Sequence, residues 1–588
     1  MEENQLKFET EEKWYYIVPL MFVLAFVPLV VFLRIVPLGK DAGSIWVNSK
    51  FDADFFSYYK AMLLLSCTLL LTAFQLFNIL KTKALKRTYI YIPAGIYLLF
   101  VILSTIGSAH PEIALWGFPS RYEGALINIS YVILLFASIN LVTTEKQYRL
   151  VICSVIFSSS VIGIIGVFQY FGLDLFKSEL GKILILPPDL RKMNLNFSFG
   201  KYTIYSTLFN TNNVGSFAAM LFPFSLALFF MAEKKVQRLL AGSFSCLMFM
   251  VWLGCLSRAG IMGGIAAVIL VAVALRKRIQ ACFKPAAVLL VSYLLLYVIM
   301  NTVSGGYINN TAARAAGELS SADGGRVKDI AVGREQAVIT SRSGTLKIVI
   351  NKNELKFMNG ENKTMEFEQK SDGQNMEFRF KEEGFKDCLV KYFSSGNVLG
   401  IDRAGLNLRL AVTNEGFMFV DSKGRLVPPS DIRKIRLPVG ESFASGRGFI
   451  WSRSIPLMSD SLIIGKGPDT FPFYFPQHDF TGKLLGLSNQ YILVDKPHNM
   501  YLHIGIGTGA VSLLAFLAII LMYFIQCCTI LAKYSKQDLY WHAGIGIAAA
   551  VAGYLAAGVF NDSIVSVAPI FWVLLGLGIN INLRIKYS

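Results

Sequence analysis

Charge is what this chain has least of. Only 16% of its 588 residues are Asp, Glu, Lys or Arg, against 54% hydrophobic, and mean hydropathy is +0.51. Soluble domains carry about a quarter charged residues, so this composition excludes an ordinary soluble protein. Acid is scarcer than base: 39 Asp and Glu stand against 56 Lys and Arg, a formal net charge of +17. Nucleic-acid binding is one reading of that excess. Much of it, however, sits in short loops between apolar blocks, where the positive-inside bias accounts for it without nucleic acid. Cysteine gives no disulfide framework. Of 8 cysteines, Cys67, Cys153, Cys246, Cys255, Cys527 and Cys528 fall in or near apolar blocks, Cys282 lies in a basic loop, and Cys388 is alone in the long polar segment. No metal-like spacing occurs, and Cys527-Cys528 reads as packed or lipid-facing. No G-x-x-x-x-G-K-[ST] loop occurs, so ATP-driven transport lacks support. No cleavable leader is evident; the first apolar block is long enough to span and reads as an anchor.

What the chain does have is long apolar runs. About twelve are legible, at 14–33, 61–80, 89–106, 126–142, 150–171, 214–231, 239–256, 261–275, 285–300, 500–531, 541–559 and 564–581. The class is therefore an α-helical polytopic membrane protein. Basic loops (Lys81, Lys83, Lys86 and Arg87; Lys146 and Arg149; Lys234, Lys235 and Arg238; Arg276-Lys277-Arg278; Lys533 and Lys536; Arg584 and Lys586) alternate with poorly basic ones. Parity then places both termini in the cytoplasm. The acidic leader runs against this, although acidic residues count little in the rule. The segment 172–205, with Pro187-Pro188, falls outside by parity and reads as short interfacial helices.

Three parts follow: spans 1–9 in 1–302, an extracytoplasmic segment 303–497, and spans 10–12 in 498–588. Inside the polar segment, alternating runs at 345–350, 376–380 and 416–420 are separated by Asn359-Gly360, Asp372-Gly373 and Ser422-Lys423-Gly424. They predict a small β-rich insert over about 328–436. The Gly/Ala/Ser-rich stretch 304–325 reads as flexible.

The chemistry concentrates between Ser445 and Gly509. Arg447 lies in Ser445-Gly446-Arg447-Gly448-Phe449-Ile450-Trp451, with Arg453 two residues on, and His498 lies in Lys496-Pro497-His498-Asn499-Met500-Tyr501-Leu502. Arg258 occupies a Ser257-Arg258-Ala259-Gly260 turn between two apolar blocks. An arginine at the hydrocarbon edge costs several kcal/mol unless it has a partner or water, roughly 2.5–3.5 at the centre on insertion scales. It either snorkels to headgroups or serves as a fork for phosphate oxygens. Arg447 and Arg453 are either a solvated basic segment resting on headgroups or anion ligands; on a helix their spacing of six puts them on somewhat different faces, so they need not act together. His498 is either a helix-capping residue or a general base titrating near neutral pH. His503 reads as packing, Asp469 within Gly-Pro-Asp-Thr-Phe reads first as a turn, and the Asn and Thr residues of 207–213 can cap the next helix.

Taken in order, Leu256-Ser257-Arg258-Ala259-Gly260, the Arg447 and His498 motifs, and Gly465-Lys466-Gly467-Pro468-Asp469-Thr470-Phe471 make the chain resemble the O-antigen ligase/polymerase superfamily of bacterial membrane glycosyltransferases. Supporting matches are Arg121-Tyr122-Glu123-Gly124, 207–213 with Asn210 and Asn213, and the Asn561-Asp562 hairpin. The resemblance covers nearly the whole membrane part. It implies a GT-C-like fold and metal-independent, cofactor-free transfer of a glycan from an undecaprenyl-diphosphate carrier to a hydroxyl acceptor at the outer face of the cytoplasmic membrane. By similarity, Arg258, Arg447 and Arg453 would hold the diphosphate and His498 would act on the acceptor. Arg121, Glu123, Asn210, Asn213 and Asp469 are further candidates. The insert departs from the family pattern, so ligase and polymerase both stay open. A flippase or transporter is the competing class and a sensor the third.

Overall fold

The computed structural model describes residues 14–587 apart from 47–48, 83–84, 196, 198, 321–326, 352–353, 404 and 532–538. The acidic leader, Lys83, Lys533 and Lys536 lie outside the described residues. Among the described residues, eight helices are long and apolar enough to cross a membrane: Tyr58–Lys81, Glu145–Tyr170, Thr211–Met231, Lys235–Gly254, Phe283–Val303, Ala510–Ile530, Tyr540–Ala557 and Ala568–Tyr587. The chain is thus a multi-pass membrane protein by the length and composition of its helices. Four shorter apolar helices, Trp14–Leu29, Tyr91–Ile106, Ala125–Asn140 and Arg258–Ala274, fall where the remaining runs were read.

The helices sort by burial. Thr211–Met231 and Ala568–Tyr587 are almost wholly covered, whereas Phe283–Val303 exposes Val288, Leu290, Leu294, Leu295 and Val298. Apolar side chains facing outward on a long helix are what a lipid-facing position requires. At the centre, a Cβ on Gly260 would stand 2.5 Å from Gly215 Cα, so the starts of Thr211–Met231 and Arg258–Ala274 touch backbone to backbone. Small residues permit this approach, and it brings Arg258 beside Asn210–Ser216.

Three expectations change. The first span is shorter than read. Its helix and flanking 3-10 turns end at Leu29, Pro28 removes a donor, and the chain turns extended into the ladder Arg34–Pro37 with Phe51–Asp54. The run at 500–531 is broken: Met500–Thr508 stops at Gly509, whose φ of +103° ends the helix before Ala510–Leu531 begins. The stretch read as flexible contains the helix Tyr307–Ser320, in keeping with the high helix propensity of its alanines.

The insert is β-rich as expected. Among the described residues, eleven antiparallel strands between Val327 and Val427 form a four-stranded and a seven-stranded meander, each in sequence order. Ile339, Ile348 and Phe357 from the first sheet, and Val390, Ile401, Leu408 and Phe417 from the second, share one core. Phe480 and Leu484 of the helix Phe480–Leu487 join that core, with Phe480 stacked on Phe419 at 4.9 Å. This helix ties the insert to the segment carrying Arg447 and His498.

Candidate functional site

The site gathers on the turn Phe560-Asn561-Asp562-Ser563 between the last two helices. Arg447 reaches it first: Nε donates to Phe560 O at 2.8 Å, Nη1 to Ala444 O at 2.8 Å, and Nη2 lies 3.4 Å from Asn561 Oδ1. Its position depends on an unusual backbone. Ala444, Ser445 and Gly446 all take left-handed φ (49°, 62° and 87°), so the run Phe443–Ser459 is kinked and its regular helix starts beside Arg447. Each non-glycine residue so held costs on the order of 1–3 kcal/mol. At Gly446 a Cβ would also fall 2.3 Å from Leu487 Cδ2. Burial pulls the Arg447 guanidinium below its ordinary proton affinity; Asp562 opposes this and the like charge of Arg258 adds to it. The two arginines are therefore close enough to repel, an arrangement that an anion between them would relieve.

Arg258 is half-buried at the first position of its helix, and Ser257 caps that helix by accepting from Gly260 N at 3.2 Å. Ser257 also donates to Asn212 Oδ1 at 3.3 Å. Asn561 fastens the same corner, donating to Asn212 O at 3.0 Å and Ser216 Oγ at 2.9 Å. Asn210 caps Thr211–Met231 by accepting from Asn213 N at 2.9 Å, and Asn213 donates to Leu208 O at 2.8 Å. Both asparagines therefore shape the corner through helix capping.

His498 stands on the other side of the turn, with Nδ1 3.2 Å from Asp562 Oδ2. The pair is within ion-pair reach though poorly aligned for a hydrogen bond, as catalytic contacts often are before substrate binds. His498 itself has φ +49°, in the left-handed region that residues other than glycine seldom occupy. Asn499 N lies 3.3 Å from Asp562 Oδ1, and Asn499 caps Met500–Thr508. Trp451 Nε1 donates to Pro497 O at 3.0 Å, docking the Arg447 helix against the histidine loop. Burial alone would raise the Asp562 carboxyl; the contact with His498 and the charges of His498 and Lys496 outweigh it and hold the group well below the carboxylate range. A carboxylate beside Nδ1 favours the tautomer that leaves Nε2 as an acceptor. Lys496 is half-buried and makes no hydrogen bond or ion pair among the described residues, a third cation at the same turn.

Behind this front lies a buried ionic bracket. Arg121 Nη2 lies 2.6 Å from Asp469 Oδ1, and Nη1 donates to Asp495 O at 2.7 Å. Asp469, at φ +62°, accepts from Phe118 N at 2.6 Å. Glu123 accepts from Tyr131 at 2.5 Å and from Ser563 at 3.0 Å, which fixes the residue next to Asp562. Burial pushes the Glu123 carboxyl up to about 7. A cavity of about 50 Å³ lies among Glu123, Asp469, His503, Tyr554 and Ser563. Arg121, Glu123 and Asp469 thus position the turn rather than line the front. His503, read as packing, aims its Nε2 at Asp469 Oδ1, 3.6 Å away.

Of the three arginines expected to hold the diphosphate, Arg453 is the one that the structure does not bring to this front. It is buried in a triad with Asp479 (2.8 Å) and Glu441 (2.5 Å), under the ring of Phe449. The six-residue spacing from Arg447 turns it to another face of the helix. Asn561-Asp562 is among the supporting matches in the sequence, where no motif marks Asp562 for a role. One signal was present: it is the only carboxylate after Leu539. Among the described residues, no group of three His, Cys, Asp or Glu side chains is disposed to hold a metal ion.

The protein is a multi-pass membrane protein with a cationic corner, two guanidiniums and an imidazole–carboxylate pair, at one end of its helical bundle. No protein-family model, curated protein or solved structure matches the chain.

Proposed function

We propose that this protein transfers a glycan from an undecaprenyl-diphosphate carrier to a hydroxyl acceptor at the outer face of a bacterial cytoplasmic membrane, as a ligase or a polymerase. The observation that carries the reading is the convergence of Arg258, Arg447 and the His498–Asp562 pair on one turn. Three helices, Thr211–Met231, Arg258–Ala274 and Met500–Thr508, also begin beside that turn, and their N-terminal dipoles favour an anion. The outer-face assignment draws on the opposite end of the bundle. There Arg278 donates to Phe230 O, Lys86 to Val142 O and Arg584 to Thr143 O, which puts the cationic loops away from the corner.

In this reading His498 Nε2 takes the proton of the acceptor hydroxyl as its oxygen attacks the anomeric carbon of the donor. The bond from that carbon to the diphosphate oxygen breaks, and the electron pair leaves with the diphosphate. Arg447, Arg258 and Lys496 neutralise the charge that develops there without giving up a proton. Asp562 stabilises the imidazolium until its proton passes to water. The isoprenoid tail runs along the apolar helices.

A transport reading draws on the helix break at Gly509, since broken helices mark many carriers. Here the break lies at a helix end, and Ala510–Ile530 is long enough to cross by itself. The experiment is transfer by purified protein in nanodiscs with a polyprenyl-diphosphate-linked donor. His498→Ala should retain donor binding and lose transfer; full transfer would remove the base. Lipid-linked pools in cells lacking the protein separate the two modes: single repeats accumulate for a polymerase, finished chains for a ligase.

A further inference from the structure

A second cavity, of about 240 Å³, opens between the β insert and the loop that follows the Arg453 triad. Its walls include Lys423 and Arg425 from the last hairpin of the insert, and His478, Lys483 and Tyr491 from the loop and the helix Phe480–Leu487. The volume is below the ~300 Å³ at which sites for drug-sized ligands begin, and suits one sugar ring rather than a chain.

Lys483 is the unusual member. It is only 4% exposed, yet its ammonium makes no hydrogen bond or ion pair among the described residues. The opposing charge it feels comes from Asp479. That carboxylate is already bonded to Arg453 at 2.8 Å, Gly482 N at 2.8 Å and Thr481 at 3.3 Å. The other cations of the wall are occupied: Lys423 donates to Gly43 O and Ser44 O at 3.2 and 2.6 Å, and Arg425 pairs with Asp421 at 2.7 Å. With its stem buried and its ammonium left to the cavity, Lys483 presents a charge that bulk water screens poorly and no described protein group pairs, which suits an anionic ligand. Burial pulls Lys483 down to about 8, which leaves it charged at neutral pH.

We propose that this cavity is a subsite for one anionic sugar unit, with Lys483 binding its carboxylate or phosphate and the half-buried Tyr491 ring covering its apolar face. The sugar part rests on the glycan reading above; the anion part does not. The geometry also links the two sites. Lys483 is one turn, about 6 Å, before Leu487, and Leu487 packs on Gly446, the residue before Arg447. The insert would then act by choosing acidic chains.

The test is binding to the full-length protein in nanodiscs by calorimetry, with three probes: methyl glucuronide, glycerol phosphate and methyl glucoside. Either anion should bind at least tenfold tighter than the neutral glucoside, and which one does so names the source of the charge. Lys483→Met should abolish that preference while melting no lower than wild type, since it removes a buried charge. Lys483→Gln serves if the methionine variant fails to fold. His498→Ala should keep the preference, so a protein inactive in transfer can still pass this test. Equal binding of all three probes, or an undiminished preference in both Lys483 variants, overturns the proposal.

Discussion

Asp562→Asn is the most informative perturbation, because the side chain keeps its shape and loses only its charge. The carboxylate is 5% exposed and lies 3.2 Å from His498 Nδ1. When His498 takes the acceptor proton, an imidazolium forms beside it. Two unit charges at that distance attract by about 5 kcal/mol at an effective dielectric of 20 and about 1 kcal/mol in water. The imidazole is 29% exposed, so the interaction falls between these limits, at about 2–3 kcal/mol. Each 1.36 kcal/mol is tenfold in rate, so kcat should fall roughly 30- to 150-fold. The loss falls on the step in which the neutral imidazole takes the proton, so kcat and kcat/KM should fall together. The assay is single-turnover transfer in nanodiscs, with donor binding measured separately. A rate within threefold of wild type, with donor affinity unchanged, would show that the carboxylate does not act on the imidazole. The same substitution should lower the melting temperature at pH 7. A carboxyl held below its ordinary value contributes stability above about pH 4 and loses it in acid. That loss of stability would not by itself lower kcat in the fraction still folded.

Two further outcomes follow from the geometry. Arg447→Lys should weaken donor binding tenfold or more, because an ammonium cannot at once hold Phe560 O, Ala444 O and Asn561 and face a diphosphate; direct titration with polyprenyl diphosphate checks it. Glu123→Gln should raise the melting temperature at pH 8 and change it little at pH 5. The folded carboxyl titrates near 7 against an ordinary 4.5, so the folded state holds the extra proton and wild-type stability falls as pH rises between those values. A melting series in detergent from pH 5 to pH 8 reads this directly, and parallel curves for the two proteins would contradict it.

Apolar run length located the eight described helices that are long enough to cross a membrane, since a long segment with so little charge has few alternatives in water or lipid. Alternation and turn residues likewise located the insert: the runs at 345–350, 376–380 and 416–420 all fall within strands. Those are local properties, carried by spacing along the chain. Arg258 could be singled out because charge beside hydrocarbon is costly wherever it folds, Arg447 by its flanking glycines, and His498 by its place where a loop enters a helix. Which of them meet was decided only in three dimensions. Arg453 looks like Arg447 in sequence, yet one faces the Asp562 turn and the other is sealed between Glu441 and Asp479. Asp562 lies 64 residues beyond its histidine, and no periodicity joins them. Lys483 gives no signal in a strand-to-span linker until the fold buries its stem and turns it to the wall of a cavity. Composition and pattern act through neighbours in sequence and so determine the elements. Contacts between distant charges depend on how those elements pack, and the tertiary structure alone decided them.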